Sequence, residues 1–211
     1  MLKILATALI AGAALAAAAT AAAPITVTLV VSAASVDYGK PATLTGVLST
    51  QKTNQAIAIQ ATECGSTKPV KAATVRTIAN GAYTSPVTAA VATSYQATFK
   101  NVKSPVVAVA VRPLLQLTRL ARGSYAAKVT AGQTLKGKAV LFQRYSKLRK
   151  RWVQVKRLVL TTEAPGPAKP TLLDSASFSA KVALKTRVRL LISTAQAAPC
   201  FLSATSNVVR A

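Results

Sequence analysis

The chain has 211 residues, of which 27 are Lys or Arg, four are Asp or Glu and none is His, giving a formal net charge of +23 at pH 7. Without His, no side chain has an unperturbed pKa between about pH 5 and 8, so the usual general base, proton shuttle and neutral metal ligand are missing. Most enzyme readings are weakened, and the informative questions become export, architecture and electrostatic partners.

In chain order, Met1-Leu2-Lys3 gives a short positive start and Ile4 to Ala19 an apolar, Ala-rich run that ends in small residues. This is the build of a cleavable signal peptide over residues 1–23, with cleavage expected after one of Ala19 to Ala23. A membrane span needs roughly 20 strongly apolar residues, and a run made mostly of Ala falls short. The mature chain is therefore expected to carry no transmembrane anchor, and to be secreted or extracellular, either diffusible or associated with the cell surface.

Residues 24–113 form the first expected domain. Short runs rich in Val, Thr, Ile and Tyr recur there, separated at about 8 to 12 residues by Gly, Pro, Asn or Ser, which is the pattern of an antiparallel β-sandwich. In Tyr95-Gln96-Ala97-Thr98-Phe99 the alternation turns Tyr95, Ala97 and Phe99 inward and Gln96 and Thr98 outward. The domain ends near Val111-Arg112-Pro113-Leu114, where Pro fixes φ and no flexible Gly/Ser tract intervenes.

Residues 114–211 form the second expected domain and repeat the first in order. Gly137 to Gln143 parallels Asn54 to Gln60, and Ala176 to Val182 parallels Gly81 to Val87. Between these lies Arg144-Tyr145-Ser146-Lys147-Leu148-Arg149-Lys150-Arg151-Trp152, continuing to Lys156-Arg157, which reads as a basic hairpin tip flanked by Tyr145 and Trp152. Alternation puts Trp152, Gln154, Lys156 and Leu158 on one face and Val153, Val155, Arg157 and Val159 on the other. Trp152 is then exposed, unless a bulge reverses the assignment and buries it. Glu163 to Asp174 reads as a Pro-rich loop with both acids in solvent. In Thr186 to Ile192, Val188, Leu190 and Ile192 face inward and Arg187 and Arg189 outward. The expected fold class is all-β, two tandem antiparallel β-sandwiches.

Charge is divided unevenly. From Pro24 to Pro113 eight basic and two acidic residues give +6; from Leu114 to Ala211 eighteen basic and two acidic give +16. The candidate binding residues are Arg144, Lys147, Arg149, Lys150, Arg151, Trp152, Lys156, Arg187 and Arg189, since cations interleaved with aromatics can hold an anionic polymer by counterion release and stacking. The same charges could equally serve as a solubilising face or an edge that discourages strand-to-strand aggregation.

No catalytic or metal constellation stands out. The four acids, Asp37, Glu63, Glu163 and Asp174, are scattered in sequence. Zn²⁺ would lack imidazoles, and Ca²⁺ would lack a carboxylate cluster. No cofactor is expected. Cys64 and Cys200 belong to a chain bound for an oxidising compartment, which favours their pairing as a link between the two domains. Two unpaired thiols or an intermolecular bond are the alternatives.

The frame Asp37-Tyr38-Gly39, Thr43-Leu44-Thr45-Gly46, Ala79 to Tyr83, Thr93-Ser94-Tyr95, Val109 to Pro113, Phe142-Gln143-Arg144, Arg151 to Arg157 and Ser206-Asn207 resembles secreted bacterial tandem immunoglobulin-like domain proteins of actinobacterial type. The resemblance spans about residues 25 to 211. It implies immunoglobulin-like sandwiches in the cell exterior, no catalytic residues to carry over, and a packing role for Tyr95 as a tyrosine corner. The function expected from sequence is a noncatalytic structural or adhesive module. The alternative is a binder of anionic envelope polymers or glycans through the basic second domain, with teichoic acid, anionic glycans or lipid headgroups more natural targets than nucleic acid. An enzyme with a Ser/Lys or lone-Cys nucleophile is the residual reading.

Overall fold

A computed structural model describes residues 23–211. The signal peptide expected over residues 1–23 lies, apart from Ala23, outside the described residues. Up to Pro113 the chain contributes β1 (Val30–Val31), β2 (Ser35–Asp37), β3 (Ala42–Val47), β4 (Ala56–Glu63), β5 (Val70–Arg76), β6 (Ala82–Val87), β7 (Thr93–Phe99), β8 (Val102–Lys103) and β9 (Val107–Arg112). They form two sheets, β1-β3-β6 and β2-β9-β7-β4-β5 with β8 added to β7. Every pairing here is antiparallel except β2 with β9, where Ser35 lies beside Ala110 and Asp37 beside Arg112 in parallel register.

Beyond Pro113 follow β10 (Leu114–Ala121), β11 (Ser124–Ala131), β12 (Ala139–Ser146), β13 (Arg151–Val159), β14 (Thr162–Pro165), β15 (Leu172–Ser179), β16 (Arg187–Ile192), the single helical turn α1 (Thr194–Ala197), β17 (Ala204–Thr205) and β18 (Val209–Arg210). The sheets are β10-β11-β15-β14 and β13-β12-β16-β17, with β18 also on β16. The protein is all-β and sandwich-like, and among the described residues no strand pairing crosses Pro113.

Period-two patterning explains the cores. Thr93, Tyr95, Ala97 and Phe99 are buried along β7 while Ser94, Gln96 and Thr98 are only partly covered, as the alternation requires. Val188, Leu190 and Ile192 are fully buried on β16. In the second half, Tyr125 on β11 and Phe178 on β15 meet Phe142 on the facing sheet, with ring centroids 4.9 Å (Tyr125–Phe142) and 5.0 Å (Phe142–Phe178) apart. Tilted and edge-on contacts of this kind add to the area that the rings bury.

In the first half the corresponding filler is Tyr83 on β6, 1% exposed, whose hydroxyl donates to the carbonyl of Thr28. Gly46 on β3 lies beneath that ring, where any Cβ would collide with Tyr83 and the Thr28 carbonyl. Tyr83, rather than Tyr95, is thus the tyrosine that ties its hydroxyl to a distant main chain; Tyr95 packs inside the core.

The halves meet around the two cysteines. Cys64, just past β4, and Cys200, just past α1, sit at disulfide-bonding distance with Cα atoms 5.3 Å apart. Beside them the Ala92 N–H donates to the Cys200 carbonyl (3.0 Å), and the Leu202 N–H donates to the Val111 carbonyl (2.9 Å). A Cβ at Gly132 would strike Ala90, so only glycine permits this approach of β11's end to the β6–β7 turn. Tyr38 and Thr171 hydroxyls share a further bond at 2.9 Å.

Two sequence expectations need correction. The stretch from Glu163 to Asp174 is not one solvated loop: Thr162–Pro165 forms β14 and pairs with β15, so Glu163 lies opposite Asp174. Asp174 is fully buried, and its carboxylate accepts a hydrogen bond from the Leu135 N–H at 2.7 Å. Burial is the dominant influence and raises its pKa, the Leu135 bond opposes it, and the negative charge of Glu163 adds to the rise. Asp174 thus ties the β11–β12 connection to β15.

Candidate functional site

The basic hairpin is β12-turn-β13, and its register places Tyr145 directly opposite Trp152. Their rings meet edge to face at 5.5 Å. Lys147 to Lys150 make the turn, in which Ser146 Oγ accepts from the Arg149 N–H at 3.2 Å. Lys150 has a φ of 48°, a left-handed conformation seldom taken by a side-chain-bearing residue. Leu148 stands at the tip, 93% exposed.

A bulge decides which way Trp152 points. Phe142 pairs with Lys156 but Gln143 pairs with Gln154, so Val155 is an extra residue on β13. Beyond it, Leu158 falls opposite Val140 and is buried. Before it, Trp152 and Gln154 fall opposite Tyr145 and Gln143 on the outer face. The uniform alternation that groups Trp152 with Lys156 and Leu158 is therefore broken. The Lys156 ammonium reaches across to the facing sheet and donates to the Ser179 carbonyl at 3.0 Å, which removes it from the aromatic face.

β16 completes the face from the other side of β12. Arg187 lies over the Tyr145 ring and Arg189 over the Trp152 ring, each guanidinium carbon 4.2 Å from the ring centroid. Such contacts are worth about 0.5–1 kcal/mol where exposed and more where water is excluded. Arg189 Nε also donates to Gln143 Oε1 at 3.0 Å, with Arg189 and Gln143 in register. Partial burial lowers the Arg189 pKa, but arginine starts so high that the group stays charged at physiological pH. The result is a ladder, Trp152-Tyr145-Arg187 across three strands, with Arg189 bridging Trp152 and Gln143.

At the end of the ladder, Arg144, Lys147, Lys185 and Arg187 line an open cleft of about 250 Å³ with Tyr145 and Thr186. Lys185 is a cation that sequence reasoning did not single out, since it sits in the turn ahead of β16. Arg149 and Lys150 lie in the hairpin turn and Arg151 opens β13, all exposed and none lining the cleft. The nine residues proposed from sequence thus divide: Arg144, Lys147, Trp152, Arg187 and Arg189 fall at the ladder and its cleft, Arg149, Lys150 and Arg151 at the tip, and Lys156 elsewhere.

Charge is sorted by sheet. The two acids of the second half, Glu163 and Asp174, both lie on β14 and β15, so no strand of the β13-β12-β16-β17 sheet contains a carboxylate. Asp37 and Glu63 close β2 and β4 in the first half. Among the described residues no group of three His, Cys, Asp or Glu side chains could hold a metal ion, and no helix is long and apolar enough to cross a membrane. The chain matches no protein-family model and no curated protein.

Proposed function

We propose that the chain is an exported, noncatalytic module of two immunoglobulin-like domains, residues 24–113 and 114–211, that adheres to anionic polymers of the cell exterior. The observation that carries the reading is the pair of arginines stacked on Tyr145 and Trp152, on a sheet whose strands contain no carboxylate. Two guanidinium groups held in place by rings lose less side-chain entropy on meeting an anion than free side chains would. Support for export comes from the N-terminal sequence and from the cysteines at bonding distance, a pairing that oxidising compartments favour. A purely structural role is the second reading, favoured by the bonds that tie the halves together at Cys200, Ala92, Val111 and Leu202.

Washing intact cells that express the chain with rising salt separates the two. Adhesion through charge predicts release that climbs steeply with salt, because each displaced cation contributes to the slope. Complete recovery in the medium at low salt would remove the adhesive reading. Turnover of a hydrolase substrate, abolished by a point substitution, would remove the noncatalytic one.

A further inference from the structure

The ladder face offers a ligand two things, ring surface and guanidinium edges, and the packing has already used much of the first. Tyr145 stands between Trp152 on one neighbouring strand and Arg187 on the other, while Arg189 covers Trp152. On those ring faces a nucleobase or a sugar ring would have to displace an arginine to stack. The guanidinium edges are in the opposite condition: Arg189 is committed only at Nε among the described residues, and its Nη groups stay available for an oxyanion.

Spacing and shape narrow the anion. Arg187 and Arg189 are alternate residues of one strand, so their backbones are about 7 Å apart along it. An extended polymer with phosphates joined by short polyol units presents charges at a comparable step, whereas a glycan charged on alternate rings, such as hyaluronan, places its carboxylates two sugar rings apart. The cleft beside Arg187 is walled by Arg144 from β12, Lys147 from the hairpin turn and Lys185 from the turn before β16, with no Asp or Glu in its lining. Cations converging from several directions suit a tetrahedral phosphate better than a planar carboxylate, and arginine forks bind phosphate oxygens in pairs.

Resting on the adhesive reading above, we infer that this face reads a linear polyol-phosphate polymer, one phosphate in the Arg144, Lys147, Lys185 and Arg187 cleft and the next at Arg189. Trp152 is the only tryptophan of the chain, so its emission reports occupancy at Arg189 directly.

The test titrates the mature protein with poly(glycerol phosphate), with hyaluronan matched for charge and with oligo-dT, following Trp152 emission over a range of salt. Poly(glycerol phosphate) should alter the emission and bind at least about tenfold more tightly than either competitor, the loss expected when one good charge-assisted contact is missing. Arg187→Ala with Arg189→Ala should weaken it by at least tenfold and lower the salt slope by about 1.4. Arg187→Lys with Arg189→Lys keeps the charge but not the fork, and should bind nearly as poorly; full affinity in that variant would overturn the phosphate assignment. Equal affinity for hyaluronan, or tighter binding of oligo-dT, would overturn it too while leaving polyanion adhesion standing. Binding to none of the three polymers would overturn both. Far-UV circular dichroism on each variant separates lost folding from lost contacts.

Discussion

Replacing both cysteines, Cys64→Ala with Cys200→Ala, probes how the two halves share their stability. The cysteines are 136 residues apart, and closing a loop of that length restricts the unfolded chain by up to about 5 kcal/mol in the chain-entropy model. If the first half stays folded while the second opens, the loop shrinks to the stretch from Pro113 to Cys200. Because the term depends on the logarithm of length, it falls only to about 4.6 kcal/mol. The link therefore stabilises the second half against separate opening almost as strongly as it stabilises the whole, and the first half, with its shorter loop from Cys64 to Pro113, somewhat less, at about 4.1 kcal/mol. The main-chain bonds at Ala92 and Leu202 contribute about 1 kcal/mol each and survive the substitution, so the halves should remain docked but more weakly. Urea unfolding followed by Trp152 emission, which reports the second half, and by far-UV circular dichroism, which reports both, reads the effect. The native protein should give coincident curves, and the double variant a lower midpoint with the two probes drawing apart. An unfolding free energy that falls by less than about 1 kcal/mol would refute the reasoning, since a link that spans this loop cannot be thermodynamically silent.

Two further outcomes concern buried titratable groups. Burial raises the Asp174 pKa above its unfolded value of 3.8, so its contribution to stability is fully present below that value and is lost as pH rises through the raised one. The stability of the native protein relative to Asp174→Asn should therefore rise as denaturant series are taken from neutral pH toward pH 4, and a fall would contradict the assignment. Burial pushes Tyr83 up to about 12 from 10.0, so its stabilising effect is complete below pH 10 and is lost as pH climbs through about 12. Tyr83→Phe, which removes the hydrogen bond to the Thr28 carbonyl, should cost about 1 kcal/mol at neutral pH and flatten the alkaline limb of the unfolding curve; an unchanged limb would assign the alkaline loss to other groups.

Much of the fold was legible because alternation is a local property. Tyr95, Ala97 and Phe99 had to face one way and Val188, Leu190 and Ile192 one way, whatever the sheets did afterwards. Partners at long range were not legible in the same manner. The parallel pairing of β2 with β9 joins Val36 to Val111, and nothing in either short segment states its direction. Asp174 looked solvated because Pro165, Gly166, Pro167 and Pro170 surround it with turn chemistry on one side. Its burial follows from the neighbours of β15, namely β11 and β14, together with the Leu135 amide, which lies 39 residues away.

The site was legible as a composition and not as an arrangement. Lys147 to Arg151 are the densest cations in sequence, yet the side chains with fixed geometry are Arg187 and Arg189, some forty residues later on β16. What joins Arg189 to Trp152 is one inserted residue, Val155, whereas Arg187 meets Tyr145 across β16 and β12, which the bulge does not touch. Without the bulge, Leu158 and Trp152 would share a face, and a β13 that buried Leu158 against Val140 would turn Trp152 inward as well. Arg189 would then lose its ring, and the sheet would keep its charge but not its ladder. Deleting Val155 therefore separates charge from arrangement: it leaves the cation count untouched and forces a choice between burying Leu158 and displaying Trp152. Because Leu158 contributes core area worth about 2 kcal/mol or more, the fold should keep Leu158 inside and draw Trp152 inward. Blue-shifted Trp152 emission in the deletion variant, with net charge unchanged, is the expected signature; emission that remains that of a partly exposed indole would mean that the bulge does not set the face.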